Sequence, residues 1–230
     1  MSSRTDPQTG AAYAGSQRQT QLWVNERADE LNSELVVEFP ELAGRAVRWT
    51  SPLAADGYRE YQDNAFLNAV GLGDLASALA GFWPRGGPVW DALAIVETPT
   101  TDGTPSRPGV ILAEGKSYPG ELRSGGCQAS PTSRARIEAA FATTQQTLGV
   151  TDRTPADWCG PLYQTANRLA HLTWLRSLGI RAWLVHLLFV DDPRSPTSAA
   201  TWGKEIADAS AELGLPARID HVGHLLLDAG

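Results

Sequence analysis

The sequence is short of lysine and cysteine, carries no net positive charge and has no long apolar run; each shortage closes off a class of protein. The two cysteines, Cys127 and Cys159, cannot build a disulfide framework for 230 residues and do not stand at metal-ligand spacing, so a reducing cytoplasm is the expected compartment. No stretch approaches the ~20 consecutive apolar residues of a membrane helix, and no membrane is expected as a partner. Met1 to Ser16, built largely of Ser, Thr, Gly, Pro and Gln, is expected to be a disordered tail, not a signal or a span. A formal net charge of −7 argues against a protein that coats nucleic acid without selectivity, because such binding rests on Lys and Arg neutralising phosphates. The deficit is uneven: residues 1–80 hold 11 acids and 6 bases, 81–136 hold 5 and 6, and 137–230 hold 10 and 7. Neither a phosphate-cradling Gly-rich loop nor a nucleophile-elbow serine is present.

What is present reads as α/β. Residues 17–230 are expected to form a single domain, with a helical insertion at about residues 58–82. From Gln17 to about Glu38, Leu22, Ala28, Leu31 and Leu35 recur at helical spacing and predict one amphipathic helix that Pro40 closes. Ala46 to Thr50 is a short strand, and two short helices are expected over Tyr58 to Val70 and Asp74 to Phe82, divided by Gly71-Leu72-Gly73. Val89 to Val96 and Gly109 to Lys116 are apolar runs of strand length. The Thr, Pro, Gly and Asp between them, Glu97 to Pro108, suit a long hairpin loop, so this pair is expected to be antiparallel. Helices are then predicted over Thr132 to Leu148 and Gly160 to Leu178, a buried strand over Arg181 to Val190, a helix over Thr197 to Leu213 and a last apolar piece, Val222 to Leu227. This order makes a mixed central sheet flanked by helices on both faces.

The chemistry concentrates in Asp91 and Glu114-Gly115-Lys116. Side chains alternate along a strand, so Glu114 and Lys116 share one face, while Ala113 and Gly115 leave room for close packing on the other. Of the 19 basic residues only Lys116 and Lys204 are lysines, so a lysine at the end of an apolar strand is a departure from this chain's default cation. Its ammonium is a compact charge whose pKa can move, which a guanidinium lacks. Asp91, on the neighbouring strand of the hairpin, is expected to lie across from Glu114. Two carboxylates converging there would repel, and a divalent cation relieves that repulsion. Mg²⁺ or Mn²⁺ suits such a pair because it accepts one or two carboxylates and takes further ligands from water and phosphate. The competing account of the triplet is a structural ion pair at a strand end.

Pro88-x-x-Asp91, the loop that follows and Glu114-x-Lys116 together resemble the signature of the PD-(D/E)xK nucleases, with Pro88 displaced from its place beside the aspartate. The resemblance covers roughly residues 17–190. It implies a restriction endonuclease-like fold, metal ligation by Asp91 and Glu114, a catalytic role for Lys116, and phosphodiester hydrolysis of nucleic acid, DNA first, in an assembly that could be a homodimer. The alternative function is a nuclease-fold module that binds a partner without hydrolysis, which the acidic balance favours.

Other residues are candidates for the same centre. Gln164, Asn167, Arg168 and His171 form a polar stripe on one helix. The resemblance makes Gln164 a catalytic candidate and Asn167 and Arg168 candidates for substrate contact, against an ordinary solvated helix face. Members of the family often carry a glutamate on the first helix, which brings in Glu26, Glu30 or Glu34 as a third acid; Glu60 and Glu121 are further candidates. Arg85, Arg107, Arg123, Arg134 and Arg136 could grip a phosphate backbone or serve solubility alone. The eight tryptophans are expected in the core rather than as stacking platforms. A Cys159–His171 thiol centre and a His221/His224 metal pair are both disfavoured, since nothing completes either.

Overall fold

The computed structural model describes residues 5–97 and 107–229. Among these, the helices and strands run α1 (Gly15–Glu26), α2 (Ala28–Glu38), β1 (Val47–Ser51), α3 (Asp63–Ala69), α4 (Ala76–Phe82), β2 (Ala92–Val96), β3 (Gly109–Lys116), α5 (Pro131–Leu148), α6 (Tyr163–Ser177), β4 (Ala182–Val190), α7 (Ala199–Glu212) and β5 (Val222–Asp228). The expected hairpin loop lies mostly outside the described residues, but its strands pair antiparallel, Ala92 with Ala113 and Val96 with Gly109.

The strands form one open mixed sheet in the order β1-β2-β3-β4-β5. β1 pairs with β2 and β2 with β3 antiparallel, whereas the β3–β4 and β4–β5 pairs are parallel. β3 and most of β4 are buried on both faces, as their unbroken apolar sequences require. On one face α1 lies over β3 and β4 and α2 over β5, burying Trp23, Val24, Leu31, Leu35 and Phe39 against Ala113, Val185, Leu187 and Phe189. The other face carries a larger core in which residues of α3 to α7 meet Leu93, Leu112, Leu184 and Leu188. All eight tryptophans are buried, in line with the core reading of these residues.

Three boundaries differ from the sequence reading. The single helix expected from Gln17 to Glu38 is two helices broken at Arg27, whose backbone leaves the helical region (φ −128°, ψ 29°). Its guanidinium lies 3.6 Å over the ring of Trp23 behind it and reaches forward to Glu30, so local side-chain contacts hold the bend. The tail is not disordered where it is described: Thr5 pairs with Ala12, Asp6 accepts the amides of Gln8 and Thr9, and the Ala12 amide donates to Gln21 of α1. The helix expected from Tyr58 starts only at Asp63, because Tyr61 forms a bridge with Trp90 and holds this stretch extended. The segment expected as an insertion contributes Phe66, Leu67, Val70, Leu72 and Leu79 to the same core as α5 and α6. No described helix is long and apolar enough to cross a membrane.

Candidate functional site

β3 ends in the site. Glu114, Gly115 and Lys116 close the strand, and Gly115 faces α1: a Cβ there would lie 2.3 Å from Thr20 Oγ1 and 3.4 Å from Phe189. Only glycine lets the helix sit this close. Glu114 and Lys116 point to the opposite face, beneath α6, where both are buried. Lys116 Nζ stands 2.6 Å from Glu114 Oε1 and also donates to Gln164 Oε1 at 3.4 Å. The second lysine, Lys204, is exposed on α7 and paired with Asp208.

Arg168 of α6 takes the other oxygen of Glu114, Nε to Oε2 at 2.5 Å, with side chains 6% and 4% exposed. Its remaining bonds also run inward, from Nη1 to Gln164 O and Asn167 Oδ1 and from Nη2 to Val89 O. Arg168, held by Asn167, therefore braces Glu114, and the donors of Arg168 expected to contact substrate are engaged within the protein. The helical stripe is no solvated face: Asn167, Arg168 and His171 are buried and Gln164 is half-buried.

Asp91 sits in the bend before β2, one position beyond the Ala92–Ala113 pair and so across from Glu114. Its Oδ2 accepts the Gly115 amide at 2.8 Å. Burial first, and the charge of Glu114 next, hold this carboxyl well above the ordinary range; Lys116 and Arg168 pull the other way, and Glu60 adds to the rise. The two carboxylates thus differ: Glu114 is saturated with cations, whereas Asp91 feels their attraction without forming an ion pair among the described residues.

Glu60 is the acid that joins them. The extended backbone before α3 carries it in, Gln17 of α1 donates to its Oε1 at 3.0 Å, and burial together with the charge of Glu114 raises its pKa. Glu26, Glu30 and Glu34 are exposed, and Glu30 pairs with Arg27, away from this cluster. Glu121 instead secures the end of β3, accepting from the Ser117 amide at 2.6 Å and from Ser16 Oγ. A neighbour the sequence reading missed is His186, the register partner of Glu114 on β4 and in turn of His224 on β5. Its ring stacks on His224 at 4.9 Å, and burial, then the nearby His224, keep it neutral by pulling its pKa well below the usual value. A lone polar residue in the apolar run 182–190 was the available signal.

The remaining candidates fall elsewhere. Arg107, Arg123 and Arg134 are in exposed pairs with Asp74, Glu212 and Glu138, and Arg136 donates to Ala80 O, so they form no common phosphate grip. His171 is packed among Phe82, Trp83 and Trp90, and burial lowers its pKa to about 4. Cys159 neighbours Cys127 instead, and burial pushes its thiol up to about 11, far from a ready nucleophile. His221 contacts Glu41, so His221 and His224 do not converge.

Asp91 and Glu114 offer oxygen donors of the kind a hard divalent cation takes, and Glu60 adds like charge nearby. Among the described residues, however, no three His, Cys, Asp or Glu side chains are grouped closely enough to form a metal cage by themselves. Such a cation would have to draw on two carboxylates, with water or substrate oxygens for the rest. Compared with known proteins, the chain matches no family model, no curated protein and no solved structure.

Proposed function

We propose that this protein is a divalent-metal-dependent phosphodiester hydrolase of the PD-(D/E)xK, restriction endonuclease-like kind, acting on nucleic acid and on DNA first. The observation that carries the proposal is the alignment of Asp91 with Glu114 across the β2–β3 register, with Lys116 Nζ 2.6 Å from Glu114 and the Asp91 carboxyl raised first by burial and then by the charge of Glu114. Asp91 and Glu114 are the residues that would hold Mg²⁺ or Mn²⁺. Such an ion supplies Lewis-acid stabilisation of the charge that develops on a reacting phosphoryl group. Lys116 is placed to orient the attacking water or to donate to a phosphate oxygen. Gln164, which accepts from the Lys116 ammonium, steadies that donor. Arg168 fixes the rotamer of Glu114, and Asn167 holds Arg168 in turn. Glu60, tied to Gln17, adds negative charge on the Asp91 side and raises the demand for a cation.

A second reading, a nuclease-fold module that binds without hydrolysis, is favoured by one observation: both oxygens of Glu114 already engage buried cations. Hydrolysis then requires a rearrangement of Lys116 that the binding reading does not. The two are separated by incubating the protein with plasmid, single-stranded DNA and RNA, with and without Mg²⁺ or Mn²⁺, beside Asp91→Ala and Lys116→Met. The hydrolase reading expects metal-dependent cleavage by the wild type and a loss of about a hundredfold or more in each variant. No cleavage of any substrate, or equal cleavage by all three proteins, moves the assignment to the binding module.

A further inference from the structure

A cavity of about 790 Å³ opens between α4, α5, α6 and the segment before β5, and its lining differs from the rest of the molecule. In a chain of net charge −7, its ionisable lining is Arg136, Arg176 and Arg218 against Asp220 alone, with His221 at the rim. Arg136 and Arg176 each spend one donor on a backbone carbonyl, those of Ala80 and Ala182. Among the described residues no hydrogen bond or ion pair engages Arg218, which is exposed. A guanidinium carries five N–H donors in a planar fork suited to phosphate, so most of the donor capacity of these three side chains is unengaged among the described residues. The floor is apolar. Phe82 lies flat on Trp174, with ring centroids 5.2 Å apart and planes 10° apart, and Leu172 adjoins them. His221 has a left-handed backbone (φ 65°), a conformation that costs free energy in a non-glycine residue and is often found where a binding surface is shaped.

We infer that this cavity is a binding site for a free nucleoside monophosphate, with the phosphate on Arg136, Arg176 and Arg218 and the base against Phe82. The volume fits: sites for small organic ligands run to roughly 300–1,000 Å³, whereas inorganic phosphate would leave the apolar floor uncovered. Arg176 is partly buried, which disfavours its charge and lowers its pKa; Asp220 and Glu41 offset part of that cost, and a bound anion would offset more of it. The site is separate from the Asp91–Glu114 centre. Arg176 follows Arg168 by two turns of α6, about 12 Å along the helix, and faces the opposite end of β4.

The test is calorimetric titration of AMP and GMP into the full chain, with EDTA present so that no divalent ion contributes. Adenosine and inorganic phosphate serve as half-ligand probes. The variants are Arg218→Glu and Arg136→Glu, both at exposed positions, with Arg218→Gln added should charge reversal impair folding, and Asp91→Asn as a control remote from the cavity. Saturable binding of a monophosphate is expected, weakened about tenfold or more by each arginine substitution. Adenosine and phosphate alone should bind at least as much more weakly, and Asp91→Asn should bind like the wild type. No binding at millimolar nucleotide, affinity indifferent to the arginine substitutions, or phosphate binding as tightly as AMP would each overturn the inference. Because the titration needs neither metal nor cleavage, its failure leaves the hydrolase reading untouched.

Discussion

Arg168 and Arg176 project from the same helix, yet they serve opposite electrostatic ends. At the end of β3, Arg168 and Lys116 are buried with Glu114, and their charges are consumed inside the fold. At the start of β4, Arg176 has one backbone bond and faces a cavity it shares with two further arginines. The first region is closed and charge-paired, with one carboxyl, Asp91, outside any ion pair among the described residues; the second is open and lined by three arginines against one aspartate. Burial is what separates the two, since a buried charge must be paired within the protein whereas a cavity charge can wait for a ligand.

That contrast can be broken most forcefully at Glu114. Glu114→Gln leaves Lys116 and Arg168 buried without their carboxylate, and should cost about 3–5 kcal/mol in urea unfolding. A loss below ~1 kcal/mol would mean that the pair is solvated and the region is not closed. Packing sharpens the same comparison. Gly115→Ala would set a Cβ against Thr20 and should cost about 1–3 kcal/mol. Gly81→Ala, on α4 at the cavity, meets nothing within 4 Å and should stabilise by up to about 1 kcal/mol. Equal effects of the two substitutions would show the two regions to be equally packed.

The subtlest effect concerns Asp91. Its raised carboxyl keeps its proton to higher pH in the folded state than in the unfolded chain. It therefore contributes stability below the ordinary carboxylate range that is lost as pH rises through the folded value. Asp91→Asn, which can still accept the Gly115 amide, escapes this loss. Thermal melts should show the variant little different from wild type in acid and more stable at neutral pH. A variant less stable than wild type at neutral pH would mean that the Asp91 charge is satisfied in the metal-free protein.

Much of this was legible before the structure. Apolar runs of strand length bounded by turns identified β2, β3 and β4, and the two-residue alternation of side chains put Glu114 beside Lys116 with Gly115 on the opposite face, open to close packing. Asp91 could be set across from Glu114 because a hairpin links their strands in sequence. Glu60 could not be chosen, since the stretch before α3 is kept out of the helix by the distant pairing of Tyr61 with Trp90. The inward commitment of Arg168 was hidden for a similar reason: helical periodicity groups residues on a face but does not say what covers it. The arginine-lined cavity draws on elements far apart in the chain, and no local pattern brings Arg136, Arg176 and Arg218 together.

The central claim is that Asp91 and Glu114 act as a pair toward a divalent cation. Calorimetric titration of Mg²⁺ and Mn²⁺ into the wild type and Asp91→Asn tests it most directly. The account predicts saturable binding by the wild type, weakened about tenfold or more in the variant. No binding to the wild type at millimolar metal, or equal affinity in the two proteins, would contradict it.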